Sequence, residues 1–202
     1  MRRLLTASLL AMTLAASSTS FAKSFGFNST ITEPLTSAVK IEVVLSKDLA
    51  HRANHLPKRL RDRNNSRRLN AGFANNGFYG ERELQHLTER LQSKIEQKFA
   101  KKNIAISDTA TTVLRVTLED VKPNRPTFEQ LSQEPGLSFQ SIGIGGAEIT
   151  SELIKADGDS LGKIDYKWYE SNFHEAQFNS TWTDAHRAFN RYANKAAKTL
   201  AN

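Results

Sequence analysis

The chain has 202 residues, no cysteine, and 28 basic against 21 acidic side chains, a formal net charge of +7. That length fits one ordinary domain. The lack of cysteine excludes a disulfide framework and lipid attachment at a cysteine, so stability must come from an apolar core, which a chain of this size can bury.

Met1 is followed by Arg2 and Arg3, an apolar run from Leu4 to Ala16, and small residues ending Ser20-Phe21-Ala22. A basic start, a short apolar core and small residues before the cut form a secretory signal. The run holds 13 residues, short of the ~20 that a bilayer-spanning helix needs. Cleavage after Ala22 leaves residues 23–202 as a single α/β sandwich domain, soluble in the periplasm and not lipidated. Losing Arg2 and Arg3 takes the 28 basic side chains to 26 against 21 acidic ones, a net +5.

Lys23 to Ser37 reads as a polar, extended arm against the domain. Ala38 to Leu45 holds the first strand, with Val39, Ile41 and Val43 alternating on one face. From His51 to Gly80 no helical or strand period survives, and the Asn and Gly content after Asn70 favours turns. This segment reads as a basic loop insertion: Arg52, Lys58, Arg59, Arg61, Arg63, Arg67 and Arg68 stand against one acid, Asp62. A loop this long inside a compact domain usually has a function or is mobile.

Glu81 to Lys102 is a helix, with Leu84, Leu87, Leu91, Ile95 and Phe99 in one stripe. Glu81 and Glu83 open it, Lys98, Lys101 and Lys102 close it, and Asn103 is the expected C′ residue. Burying that stripe contributes on the order of 8–15 kcal/mol, against which chain entropy counts. Ile104 and Ile106 suggest a short strand. Thr112 to Val121 is a stronger one, with Leu114, Val116 and Leu118 on one face and Arg115, Thr117 and Glu119 on the other. Residues 122–137, with Pro123, Pro126 and Pro135, form a stiffened surface loop.

Phe139 to Glu170 is a long antiparallel hairpin entered through Gly143, Gly145 and Gly146 and reversed at Asp157-Gly158-Asp159. One strand lies near Ala147 to Lys155, and its partner spans Lys163 to Glu170. The chain ends in a second helix, with Trp182, Ala185, Phe189, Tyr192, Ala196 and Leu200 at helical spacing and Asp184 in the first turn. The expected fold is α+β: a two-layer sandwich with a mixed, mainly antiparallel sheet of four to five strands and two helices packed on one face.

The motifs VLRVTLEDVKPNRP, SIGIGGAEITSELI, DSLGKI and STWTDAHRAFNRYA, in that order, resemble a family of secreted bacterial envelope proteins known only as a domain of unknown function. Its members are often outer-membrane lipoproteins and look like small auxiliary proteins of envelope transport systems. The resemblance covers Val39 to the end and is most specific at Gly143 to Glu148 and Thr181 to Ala193. It implies an envelope compartment, an α/β sandwich and a non-enzymatic accessory role, and it supplies no catalytic residues. The missing cysteine separates this chain from the lipidated members.

The site motifs have plain readings. Gly143 to Gly146 precede a strand, where a phosphate loop needs a helix N-terminus; glycines there serve close packing or a bulge. His51 and His55 lack a third metal ligand, with Arg52 beside them. Asp157 and Asp159 flank a turn glycine and are too few for a calcium loop. No nucleophile elbow occurs. The reading is therefore a binding protein without catalytic, cofactor or metal residues, whose partner is another envelope protein or an anionic envelope component and not nucleic acid. One alternative is an electrostatic binder of anionic lipid or polysaccharide through residues 51–68, a peripheral membrane contact. Another is a hydrolase built around His174 or His186.

Overall fold

The computed structural model describes residues 26–55, 72–75, 77–176 and 178–201. Its frame is one five-stranded sheet in the order β1-β5-β4-β3-β2. The strands are β1 (Gly26–Ser29), β2 (Val39–Leu45), β3 (Thr112–Lys122), β4 (Gly146–Ile154) and β5 (Ser160–Tyr169). β2 runs parallel to β3, and every other pairing is antiparallel. The α+β sandwich with a mixed, mainly antiparallel sheet is therefore the observed architecture.

Two long helices cover one face: α2 (Glu81–Ala100) lies against β2, and α5 (Thr183–Ala201) against β4 and β5. The alternation of the strands explains the layer. Leu114, Val116 and Leu118 of β3, Ala147, Ile149 and Leu153 of β4, and Ile164 and Tyr166 of β5 are buried in it. They meet the stripe Leu84, Leu87, Leu91, Ile95 and Phe99 of α2, and Ala185, Phe189, Tyr192, Ala196 and Leu200 of α5. One polar pair sits inside: the Tyr192 hydroxyl donates to Ser151 Oγ at 2.8 Å. The other face of the sheet carries Arg115, Thr117, Glu148, Thr150, Glu152, Lys163 and Lys167. Among the described residues, no helix is long and apolar enough to cross a membrane.

Local signals account for the element ends. α2 closes with Asn103 at φ 56°, while Ile104 N–H donates to Phe99 O and Asn103 N–H to Ala100 O. That is a Schellman motif, with Asn in the left-handed position most residues avoid. The hairpin turn uses Gly158 at φ 91° and an Asp157 carboxylate accepting from Asp159 N–H.

Several segments differ from the sequence expectation. Gly26–Ser29 of the extended arm pairs with β5 as a fifth, edge strand. The residues around Ile106 make one bridge to Val39 and no strand. Helix α1 (Lys47–Asn54), capped by Ser46, takes in the start of the segment read as a loop from His51. Only Leu49 and Ala53 of its eight residues are buried, so the hydrophobic period is too short to register. Residues 122–137 contain helix α3 (Phe128–Gln133), whose capping box joins Thr127 and Gln130. Asn124, Thr127 and Gln130 are buried, so this stretch is part of the packed body and not a surface loop. A short helix, α4 (Phe173–Ala176), precedes α5. The segment Met1–Ala22, read as a signal peptide, lies outside the described residues.

Candidate functional site

A β-bulge builds the polar cleft of the sheet. Leu118 pairs with Ile149 and Asp120 with Glu148, so Glu119 is an extra residue in β3. The insertion lets Leu118 and Val121 both reach the core, three positions apart. It also turns the carboxylates of Glu119 and Asp120 toward the polar face together, the re-aiming that bulges provide. Glu119 Oε1 accepts from Thr150 Oγ1 at 2.7 Å. Asp120 accepts from the Tyr169 hydroxyl at 2.7 Å and from Arg52 Nη2 at 2.9 Å.

Around these groups lies a cleft of about 760 Å³ lined by Ser46, Asp48, Arg52, Lys122, Glu148 and Lys167 among others. Arg52 bridges Asp48 and Asp120 from α1, and Lys167 pairs with Glu148 at 2.8 Å. Lys122 Nζ stands 4.7 Å from the centre of the Tyr169 ring, a cation–π contact. Burial works against the charge on Arg52. The hydrogen bond and charge of Asp120, with help from Asp48, outweigh it and raise the guanidinium pKa. Burial and then the Asp120 charge raise the Tyr169 phenol, which stays a hydrogen-bond donor. The cleft therefore offers fixed carboxylate, guanidinium, ammonium and phenol groups, a chemistry suited to a polar partner and not to the apolar ligands most pockets enclose.

The residues singled out in the sequence fall in different places. Arg52 belongs to α1 and is held between two carboxylates, so its charge is already matched within the fold. Lys58, Arg59, Arg61, Arg63, Arg67 and Arg68 lie outside the described residues. The His51 and His55 rings stack with centroids 4.0 Å apart, and no group of three His, Asp or Glu is placed to hold a metal among the described residues. His174 and His186 do not line the cleft. Neither Glu119 nor Asp120 stands out in the sequence as a site residue. The one signal is the break in period after Leu118, where the next buried residue is Val121.

A second constellation sits at the end of the sheet where β3 and β5 finish and β4 begins. Asn124 is fully buried; its amide donates to Asp184 Oδ2 and to Gly143 O, while its Oδ1 accepts from Asp184 N–H. Asn179 Nδ2 and Arg187 Nη1 each donate to Asp184 Oδ1 at 3.0 Å. Backbone bonds from Asn124 N–H to Thr181 O and from Gly143 N–H to Asn124 O complete the node. A Cβ on Gly145 would lie 2.7 Å from Asn124 Oδ1, and one on Gly143 2.9 Å from Pro123 O. The glycines are there for close approach. Three of the four motifs quoted from the sequence thus converge on one buried polar node, and their role is to bind three loops into one body.

No family model and no curated protein matches the chain. Among solved structures it is similar to a chain of a PelC dodecamer from Paraburkholderia phytofirmans, with 10% identity and a TM-score of 0.43. The match covers 87% of this chain and 96% of that one, a likeness too distant to carry fold or function from one to the other.

Proposed function

We propose that the protein is a non-enzymatic accessory protein of the cell envelope that binds a polar envelope component on the uncovered face of its sheet. The bulge-built cleft carries this reading: its acids and bases are held by one another, with Asp120 between Arg52 and Tyr169 and Glu148 on Lys167. Such a network presents a fixed pattern of donors and acceptors. The basic, apolar and small-residue sequence of Met1 to Ala22 supports a periplasmic location with cleavage after Ala22. The histidines that a hydrolase reading needs lie away from the cleft, which favours binding.

The test is photo-crosslinking in intact cells from a photoreactive residue at Thr150, in the cleft, against one at Lys98, on α2. A specific adduct from the first position and not from the second is expected. Adducts from both or from neither would overturn the reading, as would turnover of a hydrolase substrate panel that Asp120→Asn abolishes.

With Arg52 matched by Asp48 and Asp120, the six cations from Lys58 to Arg68 favour a second reading, a salt-sensitive attachment to anionic lipid or polysaccharide. Binding to anionic vesicles should then fall steeply with salt and drop when Arg59, Arg61, Arg67 and Arg68 become alanine. Binding indifferent to both changes sinks it.

A further inference from the structure

Three phenylalanines stand out from the surface beside the Asn124–Asp184 node. Phe178 is 85% exposed, Phe128 74% and Phe139 61%, the most exposed large apolar side chains among the described residues. The Phe128 and Phe139 rings meet edge to face with centroids 5.5 Å apart. The backbone beside Phe178 is tied to the same loops. Arg125 donates from Nε to the carbonyl of Asn179, next to Phe178, and from Nη1 to the carbonyl of Gln140, next to Phe139. One guanidinium thus ties together the loops that carry all three rings.

These loops are held firmly. The node fixes residues 124, 143, 179 and 184 to one another. Thr127 and Gln130 cap α3, on which Phe128 sits, and Gln130 Nε2 donates to Phe73 O and Gly77 O. A rigid display of exposed aromatics loses little conformational entropy when it is covered, and exposed apolar clusters of this kind mark interaction surfaces.

The charge around the rings selects the partner. The same loops carry Glu129, Glu134, Glu170 and Glu175 against Arg125, whose guanidinium is turned onto carbonyls. Glu129 and Glu175 are exposed. In a chain of net charge +7, these loops are acidic by sequence, with Lys122 and Arg187 on the adjoining strand and helix. We propose that the Phe128, Phe139 and Phe178 surface docks a protein segment whose apolar side chains are flanked by lysine or arginine. The apolar groups cover the rings, and the basic flanks meet Glu129 and Glu175. The same rim disfavours an anionic bilayer, another surface that takes exposed aromatics. The surface is distinct from the cleft and stands without it.

The experiment measures binding of the full chain to two labelled peptides, one with paired leucines flanked by lysines and one with glutamates replacing those lysines. Phosphatidylglycerol-containing vesicles form a third arm. The lysine-flanked peptide should bind at least tenfold tighter than its acidic counterpart. Phe128→Ser/Phe139→Ser/Phe178→Ser should weaken it at least tenfold, and so should Glu129→Lys/Glu175→Lys, which tests the surface even if the serine variant folds poorly. Asp120→Asn, in the cleft, should leave it unchanged, so that failure here and failure of the cleft reading are separable. Equal affinity for the two peptides, no binding of either, binding insensitive to both variant sets, or preference for the vesicles would each overturn the proposal.

Discussion

Asn124 and Asp184, 60 residues apart, are joined by two hydrogen bonds in opposite directions, amide to carboxylate and backbone N–H to amide oxygen. The pair closes the end of the sheet: Asn124 follows β3, and Asp184 opens α5, where the helix N-terminus favours a negative charge. Removing the carboxylate would take the acceptor from the buried Asn179 amide and one acceptor each from Asn124 and Arg187.

Asp184→Ala should therefore lower the unfolding free energy by about 3–5 kcal/mol, the usual cost of stripping one partner from a buried charged network. Gly145→Ala, whose added carbon meets Asn124, should cost about 1–3 kcal/mol. Urea unfolding followed by circular dichroism checks both. A loss under about 1 kcal/mol for Asp184→Ala, no more than an ordinary hydrogen bond, would show that the node is not a keystone.

The Tyr192 hydroxyl and Ser151 Oγ satisfy each other in the core. Tyr192→Phe and Ser151→Ala should each cost about 1–2 kcal/mol, because each strands the other hydroxyl. The double variant should cost less than the sum, since no orphan remains. Strictly additive losses would contradict the pairing.

All four tyrosines have raised pKa values, with burial the first cause in each, and Tyr166 is pushed up to about 12. The unfolded chain ionises first, near pH ~10. Stability is thus intact below that pH and is lost as pH rises through the folded values. Phenolate absorbance should rise together with loss of circular dichroism in alkali. Phenolate appearing near pH ~10 with the fold intact would refute the burial.

His186, half-buried on α5 6.2 Å from the Phe189 ring, has its pKa lowered by burial and then by Arg90 and Lys94 of α2. The folded state prefers the neutral ring, so this contribution is present above pH ~6.5 and fades as pH falls toward the folded value. His186→Leu should flatten the stability curve between about pH 7 and pH 5, above the carboxylate range. Parallel wild-type and variant curves in that window would remove the effect.

The helix stripes, the alternation of β2, β3 and β5, the Asn103 C′ residue and the turn at Gly158 are all written in local sequence. Each depends on a period or on a backbone angle that one residue type tolerates. The two-layer fold follows from them, because apolar faces at those periods leave few ways to be buried. The sites are another matter. Asn124 reads as one polar residue between prolines and Asp184 as a routine first-turn acid; only the meeting of three loops makes them a buried node. Glu119 and Asp120 become adjacent groups of one cleft through a bulge whose single trace is a skipped position before Val121. Arg52, one of seven cations between positions 52 and 68, is matched by Asp48 from its own helix and Asp120 of β3. The sequence determined which surfaces are apolar. Which polar groups meet depended on contacts between distant segments, 68 residues apart for Arg52 with Asp120 and 60 for Asn124 with Asp184, and local periodicity holds no record of those.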